Sequence, residues 1–421
     1  MIRRRSFAAL GAGAVLAPAV LRAQGRTVTW MTHPVIFDAT AKGEMFRDFT
    51  ATTGLRVEVT TFPTDALAQR VPAEFAANSD AFDVISIAES FWTTALARFA
   101  EPLEPWAERA PLPAGGLADF SPGMLDQFRV PQNGGGRLLG IPHRMSTDIL
   151  YYRRDLLERA GLGVPRTLDE YHAAARALTR PDMSGLVYQG VQSQQGVLDW
   201  YSWAAAMGVD ILAPPEWRQA AFNTPAGVRS LEMRRRVVAE GLANPGVLGY
   251  SFDDAVNAMA QGRAAMSIMF SAYWARLEDQ RASTVAGRIG YAPVPRDPSV
   301  TNAYFVRGWS AVLNRASRRK DAAWEFVRHF TGPEMQKRMA LEFGNPVSRI
   351  SVARDPEVIA KVPVTAASAE ALANAKIQPN TPRLPRVWDA LARHVSAAQA
   401  GTVQPAAALA AAEADVNAVL R

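Results

Sequence analysis

The chain has 421 residues, with 46 lysines and arginines against 40 aspartates and glutamates, and it contains no cysteine. The missing cysteines exclude disulfides, thiolate metal sites, a cysteine nucleophile and a lipid anchor on an N-terminal cysteine. The length exceeds what a single hydrophobic core usually holds, so we expect two lobes.

The first 23 residues have the features of a twin-arginine signal peptide. Arg4-Arg5-Ser6-Phe7 gives the R-R-x-F pattern, and the apolar run after it is too short and too rich in glycine to span a bilayer. Removal of this leader takes away four arginines and lowers the formal charge from +6 to +2. The sequence therefore gives no case for a nucleic-acid partner, and it predicts a soluble periplasmic protein without a stable membrane anchor.

The segment after the leader alternates between predicted strands and helices. Residues 27–31, 56–60 and 83–87 are typical of strands, and Ala41, Met45 and Phe49 predict a helix between the first two. This order indicates a mainly parallel sheet flanked by helices, which binds ligands at the carboxyl ends of its strands. Four residues near those ends are candidate ligand contacts: Trp30, His33, Glu89 and Ser90.

The most informative stretch is 140–179, where a polar segment from His143 to Asp148 separates two apolar runs. Polar residues between two parts of a buried strand need a functional or structural reason, so we take Arg144, Ser146 and Asp148 as candidate ligand contacts. Gly161 is expected to end a short helix. Thr167 and Glu170 form the T-x-x-E pattern of a capping box at the start of the next helix.

Further polar and aromatic residues follow later elements. Gln195 and Asp199 lie in a polar loop and the helix after it, and Tyr273 and Trp274 come directly after a predicted strand at 264–270. Residues 290–302 are rich in proline and polar residues, which indicates a second connection between the lobes. Trp309 follows that connection.

The order of these elements resembles that of family 1 extracellular solute-binding proteins, the maltose-binding-like partners of ABC importers. Besides the stretch at 140–179, the resemblance rests on Asn380-Thr381-Pro382, then Trp388 and a long helix, then Gly401 and a final helix ending in Asp415-Val416-Asn417. It implies that Trp274 and Trp388 line the ligand cleft, and that a turn at Asn345 lies near it.

The resemblance also implies a two-lobed periplasmic binding protein fold of type II, with a ligand cleft between two α/β lobes. We expect 24–145 plus 298–352 to form the N-terminal lobe, and 146–297 plus 353–421 the C-terminal lobe. The implied partners are a carbohydrate or polyol ligand and the permease subunits of an ABC transporter, and the protein is expected to be a monomer.

No pattern of a catalytic centre, metal site or cofactor site is found in the sequence, so neither an enzyme nor a bound cofactor is expected. Aromatic rings and polar side chains at strand ends suit a sugar or polyol, because C–H faces pack on rings while hydroxyls need donors and acceptors. Arg144 leaves open an anionic ligand such as a sugar acid or a phosphoester. An exported hydrolase or oxidoreductase is the remaining alternative.

Overall fold

The computed structural model describes residues 26–89, 96–132, 135–301 and 303–421. The predicted leader 1–23 and the candidate Ser90 lie outside the described residues. The strands, numbered in chain order, are β1 Thr27–Thr32, β2 Arg56–Thr61, β3 Val84–Ala88, β4 Arg129–Val130, β5 Arg137–Leu138, β6 Ile141–Arg153, β7 Ser184–Leu186, β8 Ala264–Phe270, β9 Ile289–Pro293, β10 Tyr304–Leu313 and β11 Ala375–Lys376.

Helices surround these strands in both halves of the chain. In the first half they are α1 Pro34–Asp38, α2 Arg47–Thr53, α3 Thr64–Ala76, α4 Glu104–Arg109, α5 Pro122–Asp126, α6 Arg154–Arg159, α7 Leu168–Leu178 and α8 Gln194–Ala206. In the second half they are α9 Pro225–Ala239, α10 Phe252–Ala260, α11 Trp274–Glu278, α12 Lys320–Phe330, α13 Pro333–Phe343, α14 Ile350–Ala353, α15 Pro356–Lys361, α16 Val364–Ala373, α17 Leu384–Gln399 and α18 Pro405–Leu420. Within the described part of the chain, no helix is both long and apolar enough to cross a membrane.

The main sheet has the strand order β2-β1-β3-β10-β6-β8-β7, with β9 also paired to β6 and β11 to β10. The outer strands are parallel, as β1 is to β2 and to β3, and β7 is to β8. The long strands β6 and β10 run antiparallel to their neighbours, apart from the short strand β11. The predicted two-lobed α/β class is confirmed, but the sheet is mixed where the sequence indicates a mainly parallel one, because only the outer strands follow the β-α-β pattern.

Strand β6 changes partners halfway along its length. Residues 141–147 pair with β10, whereas residues 148–153 pair with β8 and β9. The apolar side chains at its two ends enter different clusters, with Ile141 and Met145 in one and Ile149 and Leu150 in the other. The polar segment predicted to interrupt a strand is therefore part of one continuous strand that two hydrophobic cores share.

The buried apolar residues divide in the same way along the chain. One cluster draws on 28–145 and 306–339 together with Leu372, and two others draw on 149–305 and 362–420. We propose the lobe boundaries given above on this basis, although Ala303 and Phe305, inside 298–352, pack in the clusters of the other lobe.

Several local signals in the sequence have their expected structure. The Thr167 hydroxyl accepts from the Glu170 backbone N–H at 3.2 Å, and the Glu170 carboxylate accepts from the Thr167 backbone N–H at 3.3 Å, which confirms the capping box. Gly161 follows α6 with a φ of +67°, a conformation that glycine adopts without strain.

Two element predictions need correction. Where the sequence predicts one helix through Ala41, Met45 and Phe49, the structure has α1, a short 3₁₀ turn and α2, because Ala41 and Lys42 both have a φ of +51° and a left-handed residue cannot continue a right-handed helix. The connection predicted at 290–302 is partly β9, which pairs with β6 through Gly290–Pro293.

Candidate functional site

One face of the paired strands β6 and β10 carries four half-buried side chains. Arg144 lies opposite Trp309, and Ser146 lies opposite Arg307. The residues between them, such as Met145 and Thr147, are buried. Because successive side chains of a strand point to opposite faces, the four side chains share one surface at the place where the two cores meet.

A glycine lets the two strands lie close together beneath this surface. A Cβ atom added to Gly308 would lie 2.2 Å from the Arg144 carbonyl oxygen and 2.4 Å from the Met145 sulfur. The Gly308 backbone N–H donates to a carboxylate oxygen of Glu89, which lies just after β3, at 2.7 Å. The bulge after Trp309 alters the local direction of β10.

Asp148 lies at the point where β6 changes partners, and its carboxylate is buried. It accepts a hydrogen bond from the Ser202 hydroxyl of α8, and its Oδ1 is 3.6 Å from Nη2 of Arg307. Burial raises the pKa of Asp148, while Arg307 and the Ser202 hydroxyl oppose that shift. These contacts hold a carboxylate in the site as an acceptor for a hydroxyl or an N–H group.

Arg307 belongs to the candidate site, although it was not predicted from the sequence. Its guanidinium carbon lies 3.2 Å from the centroid of the Phe270 ring, a cation–π contact. Its Nε is buried and has no hydrogen-bond partner among the described residues. Burial lowers the pKa of Arg307, and Asp148 and Glu89 oppose the shift. The period-two spacing of Arg307 and Trp309 in β10 is the signal that was available in the sequence.

Arg144 has a different environment. It donates to the Oδ1 atom of Asn345 and forms no ion pair with a described side chain. Burial lowers the pKa of Arg144 to about 10, and Tyr273 opposes that shift. Burial lowers the pKa of His33 and of His143, and the charge of Arg144 lowers both pKa values further.

Aromatic side chains line the edge of this surface. The rings of His33 and Trp309 have centroids 5.6 Å apart, and those of Tyr273 and Phe252 are 3.8 Å apart. The Trp274 indole Nε1 is buried and has no hydrogen-bond partner in the described part of the chain. Trp274 and Asn345 line the same small cavity of about 20 Å³.

Three predicted ligand contacts lie in hydrophobic cores instead, so we remove them from the candidate site. Trp30 is 0% exposed and donates from Nε1 to the Ser86 hydroxyl at 3.0 Å. Trp388 is 1% exposed and packs in a hydrophobic cluster formed by 197–231, Phe305 and 384–420. Position at a strand end, or after the N-x-P motif, does not determine which way a side chain points.

Asp199 is the third of these corrections. Its carboxylate pairs with Arg234, whose side chain is fully buried, and accepts from the Gln189 backbone N–H at 3.0 Å. This ion pair joins α8 to α9 inside the core, so the carboxylate is already engaged.

The other predicted contacts keep positions near the surface of β6 and β10 or its rim. Gln195 is exposed and accepts from the Phe252 backbone N–H at 3.1 Å, next to the Phe252–Tyr273 ring pair. The set that we propose as the candidate site is His33, Glu89, Arg144, Ser146, Asp148, Gln195, Tyr273, Trp274, Arg307, Trp309 and Asn345.

The chemistry of this set is that of recognition. It offers guanidinium donors, carboxylate and hydroxyl acceptors, and aromatic faces. Among the described residues, no group of three His, Asp or Glu side chains is arranged to hold a metal ion.

Comparison with known proteins places this chain in a family. The model of the bacterial extracellular solute-binding protein family matches residues 35–337. A probable amino-acid ABC transporter periplasmic-binding protein of Sinorhizobium fredii is 27% identical over 337 residues, which are 77% of this chain and 73% of that protein. A mannitol-binding protein of Pseudomonas aeruginosa is 26% identical over 333 residues, 76% of this chain and 72% of that protein.

A solved structure is similar over almost the whole chain. The ABC transporter solute-binding protein of Agrobacterium radiobacter, in complex with ribitol, has 26% identity and a TM-score of 0.75, and the match covers 94% of this chain and 98% of that one. The match to the family model over most of the chain confirms the predicted family: this chain is a bacterial extracellular solute-binding protein.

Proposed function

We propose that this protein captures a sugar or polyol between its two lobes and delivers it to the permease of an ABC importer. The observation that carries the proposal is the surface of β6 and β10, where arginine donors, carboxylate acceptors and the Trp309 ring lie side by side. The similarity to a mannitol-binding protein and to a ribitol complex supports the same ligand class.

Each kind of side chain has a role in binding a polyhydroxylated ligand. Asp148 and Glu89 accept from ligand hydroxyls, while Arg144 and Arg307 donate to hydroxyl oxygens. Hydrogen bonds to charged groups contribute about 1.5 to 3 kcal/mol each. A ring such as Trp309 packs against C–H groups and adds roughly 0.5 to 1.5 kcal/mol beyond the buried area.

The mechanism that we propose is closure of the lobes around the ligand. A ligand shifts a conformational equilibrium only through contacts that it makes better in one state than in the other. A ligand held on β6 and β10 gains such contacts when residues of the second lobe, including Tyr273 and Trp274, approach it. The closed form then docks on the permease.

Other parts of the proposal rest on the family and the sequence. We propose that the protein is not an enzyme, acts as a monomer in the periplasm and reaches it by the twin-arginine route. Turnover of a bound ligand would contradict the first of these statements, because it would establish an exported hydrolase or oxidoreductase.

The test is calorimetry on the purified protein with ribitol, mannitol, maltose and other neutral polyols and sugars, and with amino acids as a second panel. We expect saturable binding of at least one carbohydrate or polyol, and a smaller radius of gyration in small-angle scattering when it is bound. Binding of an amino acid and of no carbohydrate would contradict the proposed ligand class.

A further inference from the structure

We propose that the physiological ligand is an acidic carbohydrate, an aldonate or a uronate, whose carboxylate pairs with Arg144. This inference rests on the proposed function and narrows its ligand class. It makes Arg144 the residue that distinguishes a sugar acid from the neutral sugar or polyol of the same carbon chain.

Among the residues that the structure describes, no carboxylate pairs with Arg144, whereas three other sequestered arginines each have one nearby. Arg234 pairs with Asp199, Arg349 is 2.9 Å from Asp119, and Arg307 is 3.6 Å from Asp148. Arg144 instead donates to the neutral amide oxygen of Asn345. A desolvated charge without a counter-charge is costly, so a ligand that supplies a negative charge at this position gains more than a neutral one.

The amide of Asn345 is held in the orientation that faces Arg144. Its Nδ2 donates to the carbonyl oxygen of Pro346 at 3.1 Å, which leaves Oδ1 toward the guanidinium. That bond engages one of the five N–H donors of the guanidinium. A planar guanidinium with further donors fits a carboxylate in a bidentate arrangement, which a hydroxyl cannot reproduce.

The neighbouring side chains indicate how such a ligand lies. Trp309 is directly opposite Arg144 across the strand pair, so a carboxylate on Arg144 places the adjacent carbons beside the indole ring. Asp148 is four residues further along β6, roughly 13 Å away along the strand, and repels a second negative charge. The ligand therefore presents its carboxylate at Arg144 and its hydroxyls toward Asp148 and Arg307.

The experiment compares acids with neutral compounds of the same carbon skeleton by titration calorimetry. The pairs are D-ribonate with ribitol, D-gluconate with D-glucitol, and D-galacturonate with D-galactose. In at least one pair we expect the acid to bind at least about tenfold more tightly, since a charged hydrogen bond contributes more than a neutral one.

Two variants test whether Arg144 causes the preference. Arg144→Gln removes the charge, and Asn345→Asp keeps the arginine but supplies a carboxylate from the protein. Both variants are expected to reduce the ratio of the affinity for the acid to the affinity for the neutral compound to near one. Arg235→Gln is the control, because Arg235 also donates to a side-chain amide, that of Gln404, but lies away from the site. The affinity ratio of Arg235→Gln is expected to equal that of the wild type.

The outcomes separate this inference from the proposed function. Equal or tighter binding of the neutral compound in every pair overturns the inference and leaves a carbohydrate-binding protein. A preference that survives both variants also overturns it. If no acid and no neutral compound binds, the proposed function itself fails. Thermal melting of each variant identifies any that does not fold, and the wild-type comparison still decides the ligand class.

Discussion

At the residue scale, Trp309 is the aromatic ring that we propose to stack on the ligand. It is half-buried, lies opposite Arg144 and has the His33 ring at a centroid distance of 5.6 Å. Loss of a stacking ring costs roughly 0.5 to 1.5 kcal/mol beyond the buried area, which is about 2- to 13-fold in affinity. We therefore predict that Trp309→Ala weakens ligand binding by about that factor or more.

Calorimetry with the best ligand of the panel measures this change. Trp106 provides the control, because it is also half-buried but packs on Trp324 and Arg109 against the first hydrophobic cluster. Trp106→Ala is expected to leave affinity unchanged. An unchanged dissociation constant in Trp309→Ala would remove this ring from the site.

Of the residues in the proposed site, the polar residues of β6 had the clearest signal in the sequence. Arg144, Ser146 and Asp148 stood out because they were polar within an apolar strand. Arg307 is likewise a polar residue within an apolar strand, β10, so the criterion used for β6 also selects it. Asp199 could not be excluded from the sequence, because its partner Arg234 is 35 residues away and only the packing of α8 on α9 brings them together.

At the scale of elements, the capping box of α7 stabilises the fold without taking part in the proposed binding site. The capping box of α7 joins Thr167 to Glu170 through two hydrogen bonds, away from the candidate site. Loss of a Ser or Thr cap typically costs about 1 kcal/mol. We predict that Thr167→Ala lowers the free energy of unfolding by about 1 kcal/mol and leaves ligand affinity unchanged.

Urea denaturation and calorimetry on the same variant check both parts of this prediction. Thr52→Ala is the matched control, because Thr52 is an exposed residue inside α2 and caps no helix. It is expected to change stability by less than about 0.5 kcal/mol. A loss of affinity in Thr167→Ala would contradict the assignment of α7 as scaffold.

A helix or strand could be predicted from the sequence when the residues that determine it are close together in the chain. The capping box, the helix end at Gly161 and strand β8 were predictable because each depends on a few neighbouring residues. The break between α1 and α2 was not predicted, because it depends on left-handed conformations at Ala41 and Lys42, which most residues avoid. The mixed sheet was not predicted either, because β10 comes late in the chain and inserts antiparallel between β3 and β6.

At the scale of the whole molecule, a buried histidine links stability to pH. His143 is 1% exposed, its Nε2 lies 3.2 Å from the Ser86 hydroxyl, and the Phe330 ring is 4.8 Å away. Burial, and secondarily Arg144, lowers its pKa from 6.5 to about 3. The folded protein therefore keeps His143 neutral at a pH where the unfolded chain binds a proton.

The two pKa values of His143, 6.5 in the unfolded chain and about 3 in the folded protein, determine the direction of the pH effect on stability. This contribution to stability is complete above pH 6.5 and is lost progressively as the pH falls toward 3. At pH 5 the loss is at most about 2 kcal/mol. We predict that His143→Gln shows a smaller loss of unfolding free energy between pH 7 and pH 5 than the wild type, measured by urea denaturation. An equal loss in both proteins would contradict it.

The two-lobed architecture was predictable as a whole because chain length, element order and family resemblance agreed. The face of each strand that we propose to meet the ligand could not be predicted. It depends on the register of β6 against β10 and on the bulge after Trp309.

The change of partners in β6 between Thr147 and Asp148 has a consequence for how this protein can evolve. Arg144 and Ser146 belong to the strand that joins the lobes, and their cross-strand neighbours Trp309 and Arg307 belong to the strand beside it. These four positions therefore lie in the same strand pair that connects the two hydrophobic cores. We therefore expect that selection for a new ligand at these positions changes the open–closed balance as well, and that compensating substitutions accumulate elsewhere in the chain.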